Sequence, residues 1–282
     1  MQPTQVLFPQ GITTSTATVL HIDGLDVVTD QTPFHPVSHI WPDHPADVGT
    51  LTFNGQTHTV VDSLTGAIEL ETHKLFVDKA IPVKRDAPGY AFVVVHRLAE
   101  NADLTVGDQV TLAVDADYQA SLSRGHSAGH IAYLALNKVL AQGYWRKDAD
   151  RKDPLGSPDF NSYAQVTSVV TPDKCHDVYR LGKTLRKRGL NSADMLQNLE
   201  SITKDANTVI SEWLATPSEV VIDCHGSTLT DSRYWTCELN QAGKVVTPCG
   251  GTHVSHLSQL KNIEMTLSIL DEQQIEMHTY VK

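Results

Sequence analysis

Val106-Gly107-Asp108-Gln109-Val110-Thr111-Leu112-Ala113-Val114-Asp115-Ala116-Asp117 is where the chain changes its hydrophobic period. Up to Val114 a turn at Gly107-Asp108 leads into apolar–polar alternation, the mark of a half-buried strand. Beyond Asp117 the alternation is gone. From Ser123 the apolar residues Ile131, Leu134, Val139 and Leu140 recur at roughly helical spacing until Gly143 ends the run. One half of the chain reads as strands, the other as mixed helix and strand.

Upstream of this change, strand-like segments crowd together at residues 17–21, 25–29, 49–53, 57–61 and 90–96. Asn54-Gly55 is a two-residue hairpin signal, because both positions must take positive φ. Short strands at this spacing predict a small antiparallel β-barrel domain over residues 1–117. Downstream, residues 164–170 read as a strand and 175–188 as a helix stopped by Gly189. Ser192 offers an N-cap for a second helix running to about residue 215. Strands follow at 219–224, 234–239, 263–270 and 275–281. The expectation for residues 118–282 is an α+β domain, and for the whole chain an α+β fold.

The N-terminus shows no basic and apolar leader, and the longest apolar runs, such as residues 90–95, are strand-sized. A soluble cytoplasmic protein without a membrane segment is expected. Four cysteines in 282 residues are too sparse for a disulfide scaffold and point to free thiols or a metal ligand. The net charge of −11 argues against bulk nucleic-acid binding, so any RNA contact needs a local basic patch. One candidate is Arg146, Lys147, Arg151 and Lys152, diluted by Asp148, Asp150 and Asp153. The other is Arg180, Lys183, Arg186, Lys187 and Arg188, which no acid interrupts. Its alternative is an ordinary solvated helix face.

Two short motifs carry the chemistry. In His126-Ser127-Ala128-Gly129-His130 the histidines stand at i and i+4, on one face of a helix, where two imidazoles can chelate one ion. With 14 histidines in the chain, such a pair also arises by chance. Cys249-Gly250-Gly251-Thr252-His253 pairs a thiolate with an imidazole across two glycines that permit a tight turn. A glycine-rich hairpin with an incidental Cys and His is the other reading. Together the pairs offer three imidazoles and one thiolate, a tetrahedral set for zinc.

His-Ser-Ala-Gly-His followed far downstream by Cys-Gly-Gly-Thr-His-Val resembles the editing domain of alanyl-tRNA synthetases. It resembles even more the free-standing alanyl-tRNA editing proteins, the AlaX family. Thr32-Pro33-Phe34-His35-Pro36 with Asp47-Val48-Gly49, and Val106-Gly107-Asp108 with Val114-Asp115, extend the resemblance into the N-terminal half. The resemblance implies a zinc-dependent hydrolase that deacylates mischarged tRNA, chiefly seryl-tRNA(Ala), in trans at the acceptor end. It implies His126, His130, Cys249 and His253 as the metal ligands. Two departures stand out: His35 takes the place of a Tyr, and Val37 to Ala46 replaces the family's Gly-Gly-Gln element.

Catalytic candidates are Asp47, His225 and Thr252. Asp47 and His225 are polar groups in a motif-like or strand-end context, and Thr252 lies between two ligands. Their plainer readings are a turn carboxylate, a hydrogen-bonded histidine and a residue that fixes the turn. Arg180, Lys183, Arg186, Lys187 and Arg188, at helical spacing, are the tRNA-binding candidates. Two other functions remain open: a zinc hydrolase of a different ester or amide, and a non-catalytic module in which zinc only staples the fold.

Overall fold

The computed structural model describes all 282 residues. The chain divides into two compact units. The first comprises Met1–Ala120 with Ile222–Arg233 and Cys249–Thr252, the second Ser121–Val221 with Tyr234–Pro248 and His253–Lys282.

The first unit is built on a seven-stranded antiparallel sheet. Its spatial order is Gly49–Phe53, Gln109–Val114, Thr14–Asp23, Asp26–Thr29, Tyr90–Leu98, Gln56–Glu69, Leu75–Val77. Gly49–Phe53 also pairs with Gln56–Glu69, which closes the sheet into a ring where a small barrel is expected. Asn54 and Gly55 make the hairpin turn with φ of 46° and 79°. The return strand runs to Glu69, well past the expected residue 61. A register shift between Val60 and Asp62 explains how it does so. Val60 packs with Leu51, Leu98 and Leu112, whereas Leu64 and Ile68 join a second cluster with Val28, Val93 and Val95. Val94 packs the other way, against Val6, Phe8 and Leu229. The run Val93-Val94-Val95 is therefore covered on both faces, which is why it is continuous rather than alternating.

A 26-residue helix, Ala116–Ala141, follows the sheet. It starts seven residues before the expected Ser123, with the Asp115 carboxylate accepting the Tyr118 N–H at 3.0 Å. The second unit holds a four-stranded antiparallel sheet in the order Gln165–Thr171, Lys174–Arg180, Gln274–Val281, Ile263–Asp271. Helix Leu199–Leu214 buries Ile202, Ala206, Val209, Ile210 and Trp213, a stripe at helical spacing. Asn207 bonds both the carbonyl and the N–H of Met265, satisfying backbone groups on the sheet's edge strand. A further hairpin joins Arg233–Leu239 to Gly243–Pro248, the latter unforeseen in the sequence.

Two helix expectations are corrected. Residues 175–188 are not one helix: Lys174–Arg180 is a strand paired on both sides, and only Lys183–Lys187 is helical. The turn at Pro172-Asp173, with Asp173 at φ 59°, starts the return strand, and Val178 and Tyr179 favour the pleated surface. Arg180 thus ends a strand and does not share a helix with the other basic residues. The helix expected from Ser192 to about residue 215 is two, Ser192–Gln197 and Leu199–Leu214, broken at Asn198. Asn198 turns its side chain back to the Asp194 carbonyl at 2.8 Å, and Asn191 rather than Ser192 holds the N-cap position. No helix is long and apolar enough to cross a membrane.

Candidate metal centre

The long helix carries His126 and His130 one turn apart, with ring centroids 5.0 Å from each other. Its neighbouring face lies directly on the 165–180 hairpin. A Cβ on Gly125 would meet the Lys174 carbonyl at 2.5 Å and the Thr171 carbonyl at 2.7 Å. One on Gly129 would meet the Cys175 sulfur at 2.8 Å. Glycine beside each histidine is what lets the helix approach so closely. Arg124 and Asp173 clamp the same contact with a two-bond ion pair.

The ring of His253 stacks on His126 at 4.1 Å and stands edge-on to His130 at 5.0 Å. Its Nδ1 lies 3.1 Å from the Ser127 hydroxyl, which also accepts the Val254 N–H. Trp235 walls the group, 4.9 Å from His130. His126 and His130 are buried, at 7% and 9% exposure. Burial holds the His130 imidazole down at about 4, so it is neutral and able to ligate at neutral pH.

Cys249, on the same loop as His253, completes the set. One ligand atom each from His126, His130, Cys249 and His253 lies within 4.8 Å of the others. Ligands on one tetrahedral zinc stand about 3.3–3.8 Å apart, given bonds of about 2.0–2.3 Å. The donor set suits zinc or another borderline ion of that kind. Burial pushes the Cys249 thiol up to about 12, partly offset by the Gly251 N–H and the Arg233 guanidinium. A bound cation reverses that shift, since a coordinating thiol gives up its proton. The Cys249 N–H also bonds the Arg233 carbonyl at 3.0 Å. The buried Arg233 guanidinium donates to the Leu229 carbonyl and lies over the Phe8 ring.

The other candidates occupy different settings. The Thr252 hydroxyl is 3.1 Å from Nε2 of His44, a buried residue of the segment 37–46. His44 in turn packs edge-on to His35 at 4.4 Å. Nothing in the sequence singled out His44. Asp47 is fully buried, and its Oδ2 accepts the His35 N–H at 2.7 Å and the Gln119 amide at 2.6 Å. Burial raises its carboxyl to about 6. His225 is more than half exposed and pairs with Asp223 at 3.4 Å. Arg180, Lys183 and Arg186 line a cavity of about 550 Å³ with Tyr163 and Gln273. Lys187 and Arg188 line another with Lys147, Asp148 and Asp150. Ser127 sits between two candidate ligands, and its position inside the motif is the sequence signal for its role.

No protein-family model matches the chain. It is 26% identical over 245 residues to an alanine–tRNA ligase of Caldivirga maquilingensis, covering 86% of this chain and 22% of the ligase. The alanine–tRNA ligase of Acidothermus cellulolyticus is 24% identical over 244 residues, with the same coverage of 86% and 22%. That of Chloroflexus aurantiacus is 26% identical over 179 residues, 63% of this chain and 19% of the ligase. The chain is a distant homologue of alanine–tRNA ligases over most of its length, and spans about a fifth of theirs.

Proposed function

We propose that the chain is a zinc-dependent hydrolase that removes a wrongly attached amino acid from tRNA in trans, with seryl-tRNA(Ala) as the first substrate. The observation that carries this reading is the convergence of the two motifs on one His/Cys group in a relative of alanine–tRNA ligases. The likeness to free-standing alanyl-tRNA editing proteins, with residues 1–117 as a barrel domain and 118–282 as the editing-type domain, belongs to the same proposal. So does a cytoplasmic place of action.

His126, His130, Cys249 and His253 would hold the zinc, which when bound supplies a Lewis acid for the aminoacyl ester and its attacking water. Ser127 orients the His253 ring. Thr252, between two ligands, presents a hydroxyl whose direction His44 sets. Asp47 and His225 stay as candidate proton carriers, Asp47 with a carboxyl that titrates near neutrality. Arg180, Lys183, Arg186, Lys187 and Arg188 would grip the acceptor-end phosphates.

A specific observation favours a second reading, a zinc hydrolase of a different ester or amide. His44, which touches Thr252, comes from the very segment in which the chain departs from the editing proteins. Deacylation of a panel of mischarged tRNAs, with and without a chelator, tests the choice. Chelator-sensitive release of serine from seryl-tRNA(Ala) is expected. Intact tRNAs together with cleavage of a small ester or amide would favour the second reading. Tight zinc and tRNA binding with no turnover would leave a zinc-stapled module, as a complete four-ligand set allows.

A further inference from the structure

The sheet of the second unit carries another group of ligating side chains, remote in sequence from both motifs. His176 on strand Lys174–Arg180 is directly opposite His278 on strand Gln274–Val281. Glu276 lies two residues before His278, on the same face, since alternate residues of a strand point the same way. That face is the open one: Ile275, Met277 and Thr279 are buried, while the side chains of His176, Glu276 and His278 are 40%, 22% and 34% exposed.

The three side chains converge. The two imidazoles stack 4.2 Å apart with planes within 2° of parallel. Nε2 of His176 is 3.1 Å from the Glu276 Oε2 atom, and Nε2 of His278 is 3.4 Å from the same oxygen. Ser268 donates to the other carboxylate oxygen, Oε1, at 2.8 Å. The carboxylate is thus held from behind, with Oε2 turned to both histidines. We infer that His176, Glu276 and His278 form a second metal site, which takes a divalent ion of the zinc, nickel or copper kind and leaves part of its coordination shell to solvent.

The chemistry of the donors sets the class of ion. Two imidazoles and one carboxylate suit zinc and its neighbours, while magnesium and calcium call for oxygen ligands alone. Metal–nitrogen and metal–oxygen bonds of about 2.0–2.2 Å put adjacent ligands about 3.0–3.5 Å apart; the two histidine–carboxylate separations already fall there, and the three ligand atoms lie within 4.8 Å of one another. The donors need little movement, because both strands are the inner pair of the four-stranded sheet. Ser268 acts as the outer partner that orients a ligating carboxylate. Three protein ligands leave open positions, so this ion exchanges more readily than one in a four-ligand set. Bound there, it also ties the two inner strands together.

Equilibrium dialysis of the full chain against zinc, and cobalt titration followed by absorption, test the site. Two equivalents are expected, of which only the tighter shows a thiolate-to-cobalt band. Glu276→Gln with His278→Ala should weaken the second equivalent at least tenfold and leave the sulfur band intact. Ser268→Ala should weaken it about tenfold. In the Cys249→Ala, His253→Ala variant one equivalent should remain, without the sulfur band, whatever the substrate of the enzyme. Saturation at a single equivalent overturns the inference. So does a second equivalent that is equally tight in the His176→Ala, His278→Ala variant.

Discussion

Ser127 and His253 meet at 3.1 Å, hydroxyl to Nδ1, although 126 residues separate them. With Nδ1 engaged in this way, Nε2 is the ring nitrogen that would face the ion, as in metal sites whose histidines are oriented by an outer partner. The same hydroxyl accepts the Val254 N–H, so one buried side chain fixes both the ring and the backbone that carries it. Ser127→Ala should raise the zinc dissociation constant about 10- to 100-fold. It should also lower stability by about 1–3 kcal/mol through the orphaned N–H. Competition against a calibrated chelator measures the first effect, and an unchanged affinity would remove Ser127 from the centre.

Gly125 makes a second prediction, about the close approach of helix and hairpin. The three atoms nearest to a Cβ there would all be backbone, the Lys174 nitrogen and carbonyl oxygen and the Thr171 carbonyl oxygen, all within 2.7 Å. Backbone cannot step aside as a side chain can. Gly125→Ala should destabilise the chain by about 1–3 kcal/mol, and weaken zinc binding because His126 is the next residue. Gly143→Ala is the control, since nothing lies within 4 Å of a Cβ there. Equal midpoints in urea for the two variants would contradict the packing argument.

Asp47 gives a pH dependence with a definite sign. Its carboxyl titrates near 6 in the folded chain against 3.8 for an unburied aspartate, because burial disfavours the charge. Between those values the folded chain keeps a proton that the unfolded chain has released. Stability from this residue therefore falls as pH rises from about 4 to about 6, and levels off above. A shift of about 2 units corresponds to about 3 kcal/mol across that window. Asp47→Asn, which can still accept the His35 and Gln119 N–H groups on one oxygen, should remove the slope. Unfolding free energies at pH 4, 5, 6 and 7 check this; parallel curves for the two proteins would refute the raised value.

These residues also mark how far the sequence could be read. The hairpin at Asn54-Gly55 was legible because its backbone angles exclude most residues. The two motifs were legible because ligand spacing is short-range within each. The strand Lys174–Arg180 reads locally as helix because basic residues spaced for a helix follow it directly, while its pairing partner Gln274–Val281 lies some 100 residues away. Long-range pairing overrides local pattern in this way. The long return strand Gln56–Glu69 was truncated because a bulge at Val60–Asp62 switches which face its apolar residues occupy. His44 was not legible for another reason: its partner Thr252 is 208 residues off, and no local spacing links the two.

The basic residues separate into two groups, and that separation makes the last prediction. Arg180, Lys183 and Arg186 line one cavity. Arg188 instead sits 3.9 Å from the Asp150 carboxylate and 4.5 Å over the Tyr163 ring. An acid beside it dilutes its field, so under the proposed tRNA-hydrolase reading the first group would be the better phosphate grip. Lys183→Ala with Arg186→Ala should raise KM for aminoacyl-tRNA and leave kcat nearly unchanged, because phosphate contacts bind the ground state and the transition state alike. If each residue neutralises one phosphate, the slope of log KM against log salt should shrink by about 1.4–1.8. Arg188→Ala should change that slope less. Both effects are read from deacylation kinetics over a salt series. A loss confined to kcat, or a KM shift that persists undiminished at high salt, would mean that these residues act other than by holding phosphate.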